Sequence, residues 1–465
     1  MKISLPLATA LLATATSAFA QNLSQSETAK VDAIVTQSLA RTGVPSASIA
    51  IVRGGKTVFA KAYGKQSEAM PAARADVKYP IASISKQFTA AAMLLLEDEG
   101  KLSLDDHVSK YLAGISDGDV ITIRQLLSHT SGLQDYWPQD YSFAAMRNPV
   151  TPQQILDRWA KKPLDFTPGT KWQYSNTGYV VAGLIVEKVV GMPLLDFLKA
   201  HVFTPLGMDP VDQDKANGPG YPQGYQRFAL GPVRAEPPAA PGWLFAAGEL
   251  AMSASDLAKW DIARMNRTLL PGEDWTTQET PVKLADGTTN GYGLGVFAHE
   301  QAGHRYVEHS GEAVGFLSEN TVFTDDKAAV VVLVNADFSG AFTDIAGKIA
   351  DVILPPSQTQ RAEVANTVRA RRLYEMLRMG TLDRATMTDD SNYYFTPTAL
   401  ADYKATLGPL GEPKSFELAQ PPKLRGGFVN RNYRAVFADR TLNIVTYAER
   451  GETGRYEQFL VMPSQ

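Results

Sequence analysis

The order of hydrophobic patterns predicts an α/β chain of the α+β kind. An antiparallel sheet is built from both ends of a long segment, a helical subdomain is inserted between them, and a small α+β unit follows. Three observations predict this. Strand-like alternation appears at residues 46–62 and returns at 292–335, the stretch between reads mainly as helix, and Pro355-Pro356 opens a linker before a new helix and three strands.

Taken in order, residues 29–40 carry apolar side chains at 31, 34, 35 and 39, one face of a helix. Segments 46–53 and 57–62 alternate and are joined by Gly54-Gly55, a hairpin signal. A helical section broken by loops runs from Ser85 to about Lys199. Within it 87–97 reads as a buried helix, and 179–190 as another closed by Gly191. Residues 209–241 are rich in Gly and Pro and are expected to rim a cleft. Strands are expected at 292–297, 304–308, 317–324 and 328–335, with a closing helix at 341–354. The domain boundaries are therefore 21–354 for the large unit, 355–360 for the linker and 361–465 for the small one. In the small unit 361–379 is helical, and 425–436, 441–447 and 456–462 are strands.

Composition removes several classes of function. The 465 residues carry a formal net charge of −4, so no basic footprint exists for nucleic acid. Residues 1–20 read as a secretory signal: Lys2, an apolar core at 5–16, and Ala18-Phe19-Ala20 before cleavage after Ala20. The expected location is secreted or periplasmic. That core is too short to cross a bilayer and no later run approaches 18 apolar residues, so no transmembrane segment is expected. The absence of cysteine excludes a thiol nucleophile, a thiolate zinc site, a disulfide framework and an acylated lipoprotein. The six histidines, at 107, 129, 201, 299, 304 and 309, form neither His-x-His nor His-Glu-x-x-His, so neither a metal nor any other cofactor is expected. No Gly-x-Ser-x-Gly is present, which argues against an α/β-hydrolase nucleophile.

Three short motifs carry chemistry. Ser83-Ile84-Ser85-Lys86 sets a hydroxyl and an amine three residues apart, on one face of a helical turn. At a helix start, free N–H groups favour developing negative charge, and a buried Lys can lose its proton and activate the Ser. Tyr174-Ser175-Asn176 follows a Pro168-Gly169 turn and offers a phenol and an amide to one cleft. His309-Ser310-Gly311 follows the strand-like Tyr306-Val307-Glu308, and its Gly would admit close approach of a ligand.

In this order the motifs resemble those of the serine β-lactamase and penicillin-binding-protein superfamily, in its class C-like branch. That branch includes D-alanyl-D-alanine carboxypeptidases, D-aminopeptidases and esterases. Segments 121–133, with Leu126-Leu127-Ser128-His129-Thr130-Ser131-Gly132, and 242–260 are similar to further family signatures, so the resemblance spans about 24–354. It implies a β-lactamase/transpeptidase-like fold with its active site between sheet and helical layer. Ser83 would form the acyl-enzyme. Lys86 and Tyr174 would exchange its proton, with the acylation base left open between them. Asn176 would orient Lys86 and bind the substrate's amide carbonyl, and the N–H groups of Ser83 and of Glu312, just after Gly311, would form the oxyanion hole. His129 would hold a loop by hydrogen bonds. Trp243 and Phe245 would line either the cleft or the core.

One departure stands out. Class C β-lactamases have Lys-Thr-Gly at the third motif, and His309 here, near its usual pKa, would hold a β-lactam carboxylate less well. The expected function is a serine hydrolase acting on small peptide, amide or ester substrates, chiefly short or D-residue-containing peptides. The alternatives are an esterase or weak β-lactamase, or a non-catalytic penicillin-binding or peptidoglycan-sensing protein. The C-terminal unit resembles cystatin- or NTF2-like domains, which implies a structural or gating role.

Overall fold

A computed structural model describes residues 22–139, 141–356, 358–451 and 453–464; the leader read at 1–20 and its cleavage point lie outside them. The chain divides into two compact units at Pro355/Pro356.

The large unit opens with α1 (Gln25–Thr42). Ser24 caps it, accepting from the Glu27 N–H at 3.2 Å while the Glu27 carboxylate accepts from the Ser24 N–H at 2.8 Å. Strands β1 (Ser46–Arg53) and β2 (Lys56–Gly64) follow, turned by Gly54 and Gly55 at φ 58° and 71°. Then come α2 (Lys86–Asp98), α3 (Asn176–Val190) and α4 (Ala254–Asn266). Between α2 and α3 most segments are single turns, so the helical middle is sparser than its sequence suggested. The chain returns through β3 (Phe297–Gln301), β4 (His304–Ala313), β5 (Phe316–Phe323) and β6 (Ala328–Val334), and ends the unit with α5 (Ala341–Ile353).

The sheet order is β2-β1-β6-β5-β4-β3, with each pairing antiparallel. The central strands β1 and β6 are buried on both faces, which explains the unbroken apolar run of β6 and the run Ile49 to Val52 within β1. Ile49, Ile51, Val330 and Val332 meet α1 and α5. Ala50, Val52, Val331 and Leu333 face the opposite layer, which holds α2, α3 and α4.

Two expectations fail here. Residues 292–297 do not form a strand: it begins only at Phe297, after Tyr292 makes one isolated bridge to it. Tyr292, Leu294 and Val296 are buried, as are Gly293 and Gly295 between them, and Gly291 and Gly295 at φ 90° and 77° turn the backbone out of a ladder. The 209–241 loop adds Val211–Asp212 to a three-stranded sheet with Tyr79–Pro80 and Leu250–Met252. Several of its residues, Tyr221 and Tyr225 among them, line a separate pocket with Phe316, and none is among the lining of the Ser83 cleft.

In the small unit α6 (Gln358–Arg378) starts three residues before the expected helix, which shortens the linker. Strands β7 (Ser415–Leu418), β8 (Lys423–Arg425), β9 (Phe428–Val436), β10 (Thr441–Ala448) and β11 (Tyr456–Pro463) form a sheet ordered β7-β9-β10-β11, with β8 also on β9. Tyr374 and Leu377 from the helix pack on Tyr433, Ile444 and Phe459 from the sheet. Arg431 holds Glu363 through two hydrogen bonds of 2.6 and 2.7 Å.

Candidate active site

Ser83 sits in a single 3-10 turn, Ala82–Ser85, that runs directly into α2 at Lys86. The residue before it, Ala82, has φ 49°, a left-handed conformation that costs a non-glycine residue energy and is held by its surroundings. Those surroundings are β4 and β5. The Ser318 hydroxyl donates to the Ile81 carbonyl at 3.0 Å, and Gly311 lies against the same carbonyl. A Cβ on Gly311 would stand 2.1 Å from that oxygen and 2.2 Å from Ser318 Oγ. The motif Gly is therefore required where the strand meets the Ser83 turn, and the close approach it permits is to backbone as well as to any ligand.

Lys86 is fully buried, and its Nζ has three neighbours. It donates to Asn176 Oδ1 at 2.8 Å and to the Ala247 carbonyl at 2.7 Å, and lies 2.9 Å from Ser83 Oγ. The first two can only accept. A neutral amine has two N–H bonds for them and one lone pair, which then falls to the Ser83 hydroxyl. Burial pushes Lys86 down to about 7, against the opposing pull of Asp135. The Tyr174 hydroxyl donates to Ser83 Oγ at 2.8 Å, and burial drives its own pKa up, so it stays a protonated donor. Asn176 is the first residue of α3, which Ser175 caps.

Asp135 had no signal in the sequence. Its carboxylate accepts from the Asn176 N–H at 3.1 Å, Asn176 Nδ2 at 3.2 Å and the Trp137 N–H at 3.1 Å. Burial raises its pKa, while those donors and Lys86 pull it back. It thus sets the amide that in turn holds Lys86.

These groups open onto a cleft of roughly 550 Å³. Trp137, Trp172 and Phe297 supply apolar walls, and Ser310 and Glu312 border it from β4. Among the described residues lining it, the charged ones are Asp135 and Glu312. His309 also borders the cleft, but burial and nearby Lys86 push its pKa down to about 3, so it is neutral there. Both its ring nitrogens are engaged within the protein: Nε2 lies 2.9 Å from the Tyr292 hydroxyl and Nδ1 2.5 Å from the Ser310 carbonyl. His129 is buried as expected, bonded to Tyr292 and to the Ser175 N–H. Trp243 belongs to the core, packed on Tyr136, Phe143 and Trp159, and Phe245 packs against Gly183. Among the described residues no His, Asp and Glu side chains cluster as metal ligands, and no helix is long and apolar enough to cross a membrane.

Comparison with known proteins agrees with this geometry. Residues 31–353 match the family model described as Beta-lactamase. The chain is 29% identical over 327 residues to penicillin-binding protein 4* of Bacillus subtilis (strain 168), covering 66% of this chain and 72% of that one. It is 29% identical over 335 residues to a D-aminopeptidase of Brucella canis, covering 69% of this chain but only 62% of that protein's length. A crystal structure of a D-stereospecific amidohydrolase from Streptomyces sp. superposes with a TM-score of 0.60 at 30% identity, covering 69% of this chain and 97% of that one.

Proposed function

The chain belongs to the β-lactamase family of serine hydrolases, and within it we propose an aminopeptidase or amidase that acts on short substrates bearing a free ammonium group beside the scissile carbonyl. The observation that carries this is the charge of the cleft wall, where two carboxylates, Asp135 and Glu312, stand with no Lys or Arg among the described lining residues. A substrate ammonium is favoured there and a substrate carboxylate disfavoured. The neutral His309 adds no positive charge to this wall. The likeness to a D-aminopeptidase and a D-stereospecific amidohydrolase supports D-configured residues as the substrate class. The leader-like residues 1–20 support secretion or a periplasmic location.

In this reading Ser83 Oγ bonds to the substrate carbonyl carbon as its proton passes to the Lys86 lone pair. The Ser83 N–H, with that of Glu312, would hold the oxyanion. Tyr174, kept protonated by burial, passes a proton to the departing amine, and the proton that Lys86 took from Ser83 restores it, so no net proton is gained or lost in acylation. Lys86 is thus the acylation base and Tyr174 the acid. Water then hydrolyses the Ser83 ester by the reverse path.

The test is a panel on the purified protein: D- and L-alanyl p-nitroanilides, their N-acetyl forms, a dipeptide with a free carboxylate beside the scissile bond, p-nitrophenyl acetate and nitrocefin. The free-amine D-substrate is expected to exceed its N-acetyl form in kcat/KM by about tenfold or more, which is roughly 1.4 kcal/mol for one charge-assisted contact. Asp135→Asn should shrink that ratio. A preference for the N-acetyl form or for nitrocefin overturns the assignment.

A further inference from the structure

The residue that joins the two sides of the active site is one that no motif singled out. Tyr292 is fully buried, in the irregular segment before β3. Its hydroxyl lies 3.2 Å from His129 Nε2 and 2.9 Å from His309 Nε2. His129 belongs to the loop after the Leu126-Leu127 turn, and His309 to β4. The Ser175 N–H reaches His129 Nδ1 at 3.1 Å, and Ser175 directly follows Tyr174.

The directions of these bonds follow from one fixed donor. A backbone N–H can only donate, so His129 Nδ1 must be a lone pair. The neutral ring then carries its proton on Nε2 and gives it to the Tyr292 oxygen. Tyr292 in turn has one O–H to donate. The neighbouring Tyr179 hydroxyl already donates to the Leu127 carbonyl at 2.6 Å. That leaves the Tyr179 oxygen able to accept, so the choice is made at His309. Its Nδ1 faces the Ser310 carbonyl at 2.5 Å, an oxygen that can only accept, so the ring proton sits on Nδ1 and Nε2 is the lone pair that takes the Tyr292 O–H at 2.9 Å. Every member is satisfied once, and each ring is held in one tautomer.

We propose that Tyr292 is a positioning residue of the active site: through this oriented chain it fixes the His309 ring and the β4 edge beside Ser310-Gly311, and registers them against the Tyr174 loop. His309 is then a structural wall of the cleft with its Nε2 accepting, not a group that binds substrate by an N–H. The aromatic contacts agree, since His129 and His309 both pack on Tyr174 and on Tyr292. The inference rests on Ser83 acylation, which fluorescent-penicillin labelling of the wild type checks separately.

The test is nitrogen-15 NMR of the histidine rings in the full chain, with acylation kinetics of Tyr292→Phe. In the wild type His309 should show an Nε2 without and an Nδ1 with hydrogen, and His129 the opposite tautomer. Tyr292→Phe should leave the His309 signals as a mixture of tautomers. It should slow acylation by about tenfold or more, with less change in KM than in kcat. A wild-type His309 protonated on Nε2 overturns the proposal, with Tyr292 then donating to Tyr179. So does a Phe variant with unchanged tautomer and rate. If that variant does not fold, the wild-type spectrum alone still decides.

Discussion

Replacing Gly311 by Ala tests how closely the strand must sit on the nucleophile turn. The added methyl would stand 2.1 Å from the Ile81 carbonyl oxygen, and real Cβ atoms essentially never come under 3.0 Å, so about 0.9 Å must open between β4 and the turn that carries Ser83. The obstacle is backbone, and the second contact, Ser318 Oγ at 2.2 Å, is itself tied to the same carbonyl. Neither can swing aside like a flexible side chain. A displacement of about 1 Å between reacting groups costs roughly 10²-fold in rate, and overpacking of this kind costs about 1–3 kcal/mol of stability. The assay is the time course of Ser83 labelling by fluorescent penicillin, with the thermal midpoint measured alongside. Gly311→Ala should fold, melt several degrees lower and acylate about a hundredfold more slowly. Adding Ser318→Ala should not restore the rate, because the Ile81 carbonyl remains. A Gly311→Ala protein that acylates within about threefold of wild type would refute the argument, since the strand would then be free to stand off without loss.

Acylation kcat/KM should rise with pH through about 7 and level off, because in the proposed mechanism Lys86 must be neutral to take the Ser83 proton. Asp135→Asn removes the charge that opposes the Lys86 shift, so that limb should move to lower pH; a limb that stays put or moves up would disprove the coupling. Gln87→Leu should destabilise the fold by about 2–4 kcal/mol, measured by urea unfolding. Its Oε1 accepts from Trp260 Nε1 at 2.9 Å and from the buried Arg264 guanidinium at 2.8 Å, and its Nε2 donates to Asn320 at 3.1 Å. A chain ending at Pro356 should still label at Ser83, since every group of the site precedes that point; loss of labelling in a folded truncate would assign the small unit a part in acylation.

The parts legible in the sequence were those whose partners are near in the chain or fixed by a strong local rule. The three-residue spacing of Ser83 and Lys86 sets their proximity within one turn, and alternation in 46–53 with the apolar run in 328–335 located the central strands. Asp135 and Tyr292 escaped notice because their partners are remote: Asp135 meets Asn176 41 residues on, and Tyr292 meets His129 163 residues back. An isolated Asp or Tyr in a loop carries no periodicity. The false strand at 292–297 alternates apolar residues with glycine in the sequence, but left-handed Gly291 and Gly295 keep it out of a ladder. His309 was read as a residue near its ordinary pKa, and only packing shows that burial pushes it down to about 3. The role of Gly311 was read as room for a ligand, because the sequence does not show that Ile81 lies beneath it.

The burial of Lys86 has a consequence for folding as well as for catalysis. The unfolded chain keeps a proton on this amine up to about 10.5, whereas the native chain gives it up near 7. Between those values folding releases a proton here, and stability contributed by this site rises with alkalinity. Below about 7 the native state must carry a buried cation, and the full penalty, on the order of several kcal/mol, is present. A Met at this position would spare the fold that penalty while filling much of the same channel. The dead enzyme should therefore outlast the live one on heating, most clearly in mild acid, and lose that advantage as the medium becomes basic.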